Sequence, residues 1–238
     1  TVADLLISGD IRADKVVLLA ADSIQQNSGS ITANALGVQA ETTPVLATSD
    51  ISVLAVNLTG ANQDFSYQDS NDFTVGTVGS LQGINTNNGA IQLSTDNGSL
   101  TVNQGLNSGS ANLTLKTAEL DEATDARIIL NTGLQAAEIA LLSADIIQQN
   151  SGTINATRLG LQADSAPNVN IAGVQTLAVR LTAEGSSFNF NASNDLTIGS
   201  VAGINGIQTQ NGNIELGSKA GTLTVAQALN AGIGNIEL

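Results

Sequence analysis

The sequence predicts an all-β protein folded as a parallel β-solenoid, in which the chain winds into stacked coils around an apolar interior. Three observations predict this fold. A long repeat covers the chain, short strand-like segments recur within it at nearly constant steps, and glycine and asparagine concentrate between those segments. At roughly 20 residues per step, the 238 residues would form about twelve coils.

The long repeat has a period of 123 residues. The segment IQQNSG at 24–29 recurs at 147–152, and the two prolines, Pro44 and Pro167, are separated by the same distance. Residues 1–115 align with residues 124–238 without a gap, and 49 of these 115 positions are identical. We therefore predict a first unit at 1–123 and an incomplete second unit at 124–238, continuous in one rod.

Within each unit, apolar residues recur in pairs separated by one residue, a spacing that places both side chains on one face of a strand. The second members of these pairs advance in steps of 18 or 19 residues, at Val38, Val56, Val75 and Leu93. A leucine-rich repeat would need helical filler, and a propeller would need a period near 40–45 residues with aromatic signatures. Short strands at this step instead favour coils with columns of Val, Ile and Leu inside.

The segments between the strands are typical of tight turns, since glycine and asparagine tolerate left-handed backbone angles. Stacked asparagines can also form hydrogen-bonded ladders at the corners. The turn residues expected to matter most are Asn27, Gly29, Asn88 and Gly89 and their counterparts Asn150, Gly152, Asn211 and Gly212.

Residues 117–146 fit the coil pattern least well, because they are rich in Ala, Leu and Glu. A short helix within 117–127 is a minority alternative to an irregular coil. The acidic residues of this junction could bind calcium loosely, but a solvated acidic loop is the preferred interpretation. These residues are Glu119, Asp121, Glu122 and Asp125.

The composition argues against several functions. The net charge of −14, with 7 Lys and Arg against 21 Asp and Glu, is unsuited to nucleic acid. The chain has no His and no Cys, the usual general base, thiol nucleophile and soft-metal ligands. No apolar run approaches the roughly 20 residues that cross a bilayer. We therefore expect no catalysis, cofactor, metal site or membrane insertion.

The five aromatic residues are concentrated in one part of each unit. If Phe65, Tyr67, Phe188 and Phe190 faced outward, they could stack on the rings of a glycan. Their spacing equally suits an interior face, which is the preferred interpretation.

Aspartates also recur at aligned positions, Asp22 with Asp145 and Asp72 with Asp195. Solenoid enzymes that cleave polysaccharides use clustered acids in a groove. However, Asp64 and Asp69 of the first unit become Ser187 and Ala192 in the second, so no acidic cluster repeats. Aspartates that cap turns are the more economical interpretation.

Two segments carry a resemblance to a known family: ISGDIRADKVVLLAADSIQQNSGSITA at 7–33 and NDLTIGSVAGINGIQTQNGNIEL at 194–216. They resemble the central repeats of filamentous-haemagglutinin-like exoproteins, the secreted partners of bacterial two-partner secretion. The resemblance extends over essentially the whole chain. It implies a right-handed parallel β-helix that is exported through an outer-membrane transporter and is secreted or displayed on the bacterial cell surface.

The expected function is therefore structural, as a shaft segment of a large adhesin or fibre that extends a binding tip from the cell. The expected partners are adjacent repeats of the same chain and the transporter during export. Host or neighbouring-cell glycans or proteins, and self-association into filaments, remain alternatives. A glycan-binding module or a glycan-cleaving enzyme of the pectate-lyase type would be a different class of function.

Overall fold

The structure, a computed structural model, describes residues 2–48, 50–120 and 125–238. All regular secondary structure in these residues is β, in 33 short strands, and almost every strand pairs in parallel with a strand of the next coil. The predicted all-β solenoid is confirmed.

Sixteen strands precede the junction between the units, and most are short because a strand covers only part of a coil. They are β1 Leu5–Ile7, β2 Ile11–Arg12, β3 Lys15–Leu19, β4 Ile24–Gln26, β5 Ile31–Thr32, β6 Ala35–Ala40, β7 Val53–Leu58, β8 Phe65–Asp69, β9 Phe73–Val75, β10 Thr77–Val78, β11 Leu81–Gln82, β12 Ile84–Asn85, β13 Ile91–Thr95, β14 Leu100–Val102, β15 Leu106–Asn107 and β16 Asn112–Lys116.

Seventeen strands follow the junction. They are β17 Ile128–Leu130, β18 Leu134–Gln135, β19 Glu138–Leu142, β20 Ile147–Gln149, β21 Ile154–Asn155, β22 Arg158–Ala163, β23 Ile171–Ala172, β24 Thr176–Glu184, β25 Phe188–Ala192, β26 Leu196–Ile198, β27 Ser200–Val201, β28 Ile204–Asn205, β29 Ile207–Gln210, β30 Ile214–Ser218, β31 Leu223–Val225, β32 Leu229–Asn230 and β33 Ile236–Glu237.

Two long columns of buried apolar side chains run through the stack, one in each of its two largest sheets. The first passes through Leu18, Val38, Val56, Ile84, Leu106, Leu134 and Ile154. The second passes through Tyr67, Leu93, Leu115, Leu141, Leu161, Val179 and Ile207.

The two units are related by a partial turn of the coil. Leu18 starts the first column, whereas its aligned counterpart Leu141 lies in the second column. Along the first column, Leu134 lies five coils after Leu18, and Ile154 lies six coils after it. Leu141, the counterpart of Leu18, lies between these two residues in the chain. One 123-residue unit therefore spans about five and a half coils. Equivalent surfaces of successive units then face different sides of the rod.

The stack contains about ten coils, fewer than the twelve expected, because the coils are longer than the constant step suggested. Stacked residues are separated by 17 residues between Ile154 and Ile171 but by 28 between Val56 and Ile84. The evenly spaced pairs of the sequence also belong to different sheets. Val75 stacks on Leu54, whereas Leu93 stacks on Tyr67. At about 4.8 Å per coil, ten coils make a stack of about 48 Å.

Side-chain hydrogen bonds connect the corners of successive coils. Asn131 donates to Asn103 at 2.7 Å, and Asn150 of the following coil donates to Asn131 at 2.7 Å. A second ladder joins Asn85 to Asn57 at 3.2 Å. Because each amide both donates and accepts, a column of asparagines continues from coil to coil. The expected ladders are therefore present.

The junction between the units contains no helix in its described parts, 117–120 and 125–127, while 121–124 lie outside the described residues. Strand pairing continues past it, since β16 pairs in register with β19, and β14 with β17.

Candidate functional site

The aromatic residues of the first unit lie inside the stack. Phe65 and Tyr67 of β8 are buried and pair with Ile91 and Leu93 of the next coil. The ring of Tyr67 packs edge-on against Phe73, with centroids 5.1 Å apart and an angle of 85°. This is a favourable geometry for two aromatic rings in a core. These rings therefore present no stacking face to a glycan in solution.

A buried carboxylate closes the coil beside these rings. Asp69 is 3% exposed and accepts hydrogen bonds from the Tyr67 hydroxyl, from the Ile51 amide at 3.1 Å and from the Asn71 amide at 3.0 Å. Asn71 also donates through its side chain to Asp50 at 3.0 Å. A carboxylate removed from water requires such donors. Together these bonds fasten the segment around Ile51 to the end of β8.

The Tyr67 hydroxyl is held in its protonated form. Burial raises the pKa of Tyr67 well above its usual range, and the hydrogen bond to Asp69 and the negative charge of that carboxylate raise it further. Tyr67 therefore stays a hydrogen-bond donor to Asp69 throughout the neutral and mildly alkaline range.

The corresponding place in the second unit lacks this network. Three donor or acceptor side chains of the first unit have different counterparts in the second: Asp69 is replaced by Ala192, Tyr67 by Phe190 and Asp50 by Gly173. Phe188 remains buried, and Phe190 is half-buried and stacks on it with centroids 6.5 Å apart and an angle of 17°. The aligned positions therefore hold a hydrogen-bond network in the first unit and a pair of stacked phenylalanine rings in the second.

An open cleft of about 890 Å³ lies beside Phe190. Residues 169–175 form one wall, and residues 190–195 together with Thr197 form the other. Val174, which lines it, is half-buried, whereas its counterpart Ile51 is fully buried. Of the four aromatic residues singled out from the sequence, Phe190 is the one that borders this cleft.

The expected turn residues lie at bends for two different reasons. Gly29 and Gly152 have φ of 78° and 82°, and Asn88 and Asn211 have φ of 71° and 62°. Gly89 and Gly212 instead pass so close to the carbonyl oxygens of Gln63 and Ser186 that a Cβ would overlap them. Asn27 and Asn150 donate their amides to the previous coil, at Ile7 and Leu130.

Three of the recurring aspartates, Asp72, Asp145 and Asp195, accept hydrogen bonds from other coils. Asp72 accepts the amide of Ser99 at 2.6 Å, and Asp195 accepts that of Thr222 at 2.7 Å. Asp145 pairs with Arg127 at 3.3 Å, and Asp125 of the acidic junction pairs with the same arginine at 2.9 Å. Asp121 and Glu122 lie outside the described residues. No described cluster of three or more His, Cys, Asp or Glu side chains is arranged to hold a metal ion.

A pair of outer hairpins was not foreseen from the sequence. Strands β10 and β11 form an antiparallel hairpin over the outer face of the sheet, where Val78 and Leu81 pack against Ala55. In the second unit, Val201 and Ile204 of β27 and β28 pack against Ala178 in the same way.

The hairpins lie flat because the outward-facing residues beneath them are small. A Cβ added at Gly37 would lie 3.2 Å from Val78, and one at Gly160 would lie 3.2 Å from Val201. Small outward-facing residues at Gly37 and Ala55, repeated at Gly160 and Ala178, are the signal that could have predicted a covering element.

No helix in the described ranges is long and apolar enough to span a membrane. Comparison with protein-family models, with curated proteins and with solved structures finds no match to this chain.

Proposed function

We propose that this chain is a shaft segment of a large exported bacterial surface protein, in which stacked coils extend a distant binding region from the cell. The observation that carries the proposal is continuous stacking across a gapless duplication. Strands β14 and β16 of the first unit pair in register with β17 and β19 of the second. A further unit added in the same way would lengthen the rod without a change of architecture.

Export also fits the chemistry of the chain. The chain contains no cysteine, so no disulfide can form before it has passed through a membrane pore. Coils that contact only their neighbours can fold one after another as the chain emerges. The family resemblance of residues 7–33 and 194–216 leads to the same proposal, with an outer-membrane transporter as the export partner.

The proposal is tested by adding copies of residues 1–123 between the two units and measuring particle length by electron microscopy. Each copy should lengthen a rod of constant width by about 26 Å, the rise of about five and a half coils. A compact particle, or a length that does not grow with copy number, would contradict a shaft. Sedimentation of the same samples distinguishes single rods from filaments, the alternative assembly.

Surface display is tested in the parent bacterium. Protease added to intact cells should remove the segment from whole-cell extracts while a cytoplasmic control protein survives. Full protection in intact cells, with cleavage after lysis, would contradict display on the surface.

A further inference from the structure

The cleft beside Phe190 contains two hydrogen-bond donors whose counterparts are occupied in the first unit. There, the amides of Ile51 and Asn71 donate to Asp69. Their counterparts Val174 and Asn194 line the cleft, and within the described residues neither amide donates to a protein acceptor. In the first unit these two backbone N–H groups converge on one carboxylate, and backbone N–H groups placed in this way form a small anion site.

The charge around the cleft has changed in the same direction. The three aspartates of the first unit are replaced by residues without negative charge: Asp50 by Gly173, Asp69 by Ala192 and Asp96 by Lys219. The amide of Lys219 donates to the carbonyl of Ala192 at 2.8 Å, and its exposed ammonium takes part in none of the described salt bridges. Two carboxylates are lost and a third is exchanged for an ammonium, so this place is more favourable to an anion in the second unit than in the first.

One carboxylate remains at the cleft and does not cancel this difference. Asp195 lines the cleft and accepts the amide of Thr222, just as Asp72 accepts the amide of Ser99 in the first unit. Both units therefore carry this charge, and it is already engaged by the next coil.

The cleft has a mixed lining, and three of its apolar side chains lie around Phe190. Phe190, Ile171 and Val174 line it and are all half-buried, so part of each is open to a ligand. Leu196 stands where the first unit has Phe73, the ring against which Tyr67 packs, and Phe190 packs on Phe188 instead. An apolar ring could fill the space left beside Phe190.

We propose that the cleft of the second unit binds a small monocarboxylate that carries an apolar ring. Its carboxylate accepts the amides of Val174 and Asn194, the role that Asp69 plays in the first unit, and its ring packs against Phe190. The cleft volume is typical of small-molecule sites. The net charge of −14 repels a polyanion more strongly than a ligand with a single carboxylate. This site is independent of the shaft function.

The direct test is a titration of the whole 15N-labelled chain with phenylacetate and, in parallel, with phenylacetamide. Phenylacetate should shift the amide signals of Val174 and Asn194 and leave those of Ile51 and Asn71 in place. Phenylacetamide, which has the same ring and no charge, should bind at least tenfold more weakly. Equal binding of the two probes, or shifts confined to other residues, would overturn the proposal. Tighter binding of polygalacturonate than of phenylacetate would also overturn it.

Variants test the position of the carboxylate. Ala192→Asp supplies an internal acceptor, as in the first unit, and should weaken phenylacetate binding at least tenfold. Ser193→Asp adds the same charge on an exposed neighbour that also lines the cleft, and it should weaken binding less than threefold. Equal effects of these two variants would contradict the proposed position.

A surface variant keeps the test valid if Ala192→Asp fails to fold. Lys219→Asp introduces the first-unit residue at an exposed position and should weaken phenylacetate binding several-fold, more at low salt than at high salt. Affinity that is unchanged in Lys219→Asp would overturn the electrostatic part of the proposal.

Discussion

The coil at β8 in the first unit and the coil at β25 in the second occupy aligned positions of the gapless repeat, but only the first is closed by a buried carboxylate. The Asp69 carboxylate accepts hydrogen bonds from three donors, whereas the Ala192 side chain has no acceptor atom. The second coil still forms, which indicates that the interior columns build the stack. The carboxylate instead seals one gap in its wall. After a duplication, positions outside the columns can therefore diverge without loss of the fold.

The largest expected effect is that of Asp69→Ala. It leaves the buried Ile51 amide and the buried Tyr67 hydroxyl, and also the amide of the exposed Asn71, without their acceptor, so we expect a loss of about 3 kcal/mol of stability. Chemical denaturation measures it. Asp72→Ala, which removes one acceptor at an exposed site, is the control and should cost about 1 kcal/mol. Equal losses in the two variants would remove the special role of Asp69.

The outer hairpins should behave alike in the two units. In Gly37→Ala and Gly160→Ala, the added methyl group would press on Val78 and Val201 respectively. We expect each variant to lose about 2 kcal/mol through overpacking. Thermal unfolding of both variants measures this. A loss in one variant and none in the other would mean that the units differ beyond the closing carboxylate.

Alkaline pH should weaken the first unit alone. The pKa of Tyr67 is raised on folding, so its contribution to stability is complete below pH 10, near the pKa of unfolded tyrosine. Above that pH the contribution falls by about 1.4 kcal/mol per pH unit until the folded pKa is reached. Tyr67 is the single tyrosine, so its ultraviolet absorbance reports the ionisation directly.

The control for this titration is Tyr67→Phe, which should abolish the decline that is specific to tyrosine. Native protein should show little tyrosinate at pH 11, whereas unfolded protein should be largely ionised. Ionisation near pH 10 in the folded protein would show that the hydroxyl is not held by Asp69.

The smallest effect is expected from transferring the closure to the second unit. Phe190→Tyr with Ala192→Asp recreates the pair and supplies an acceptor to Val174 and Asn194, for a gain of about 1 kcal/mol. Denaturation of the double variant measures it, with Phe190→Tyr alone as the control. A loss of stability in the double variant would mean that other differences around Gly173 prevent closure.

Much of the fold was predictable because stacking imposes a pattern on the sequence. Pairs such as Leu36 with Val38 and Leu54 with Val56 lie in buried, stacked columns, as their spacing predicts. The number of coils was less accessible, because the strands of the hairpin β10–β11 have the same short, apolar appearance as strands of the coil. Each hairpin adds residues to a coil without adding a level to the stack.

The closing carboxylate could not be found from the sequence. Asp69 is one of three aspartates in residues 64–72, and because its counterpart is Ala192, the preferred interpretation was an aspartate that caps a turn. Its burial depends on the segment at Ile51, which lies 18 residues away and reaches it only when the coil closes. Buried hydroxyl groups that donate to the backbone of a turn were missed for a similar reason. Thr209, for example, is buried and its hydroxyl donates to the carbonyl of Gly212 at 2.6 Å.

Amide hydrogen exchange of the free chain tests most directly whether Asp69 closes its coil in the first unit more firmly than the aligned coil of the second unit is closed. Exchange at Ile51 and Asn71, whose amides are bound to a buried carboxylate, should be slow. Exchange at Val174 and Asn194, which line an open cleft, should be at least a hundredfold faster, an order-of-magnitude expectation from local opening of about 3 kcal/mol. Similar slow exchange at all four amides would contradict the account, because it would mean that the second unit is closed as firmly as the first.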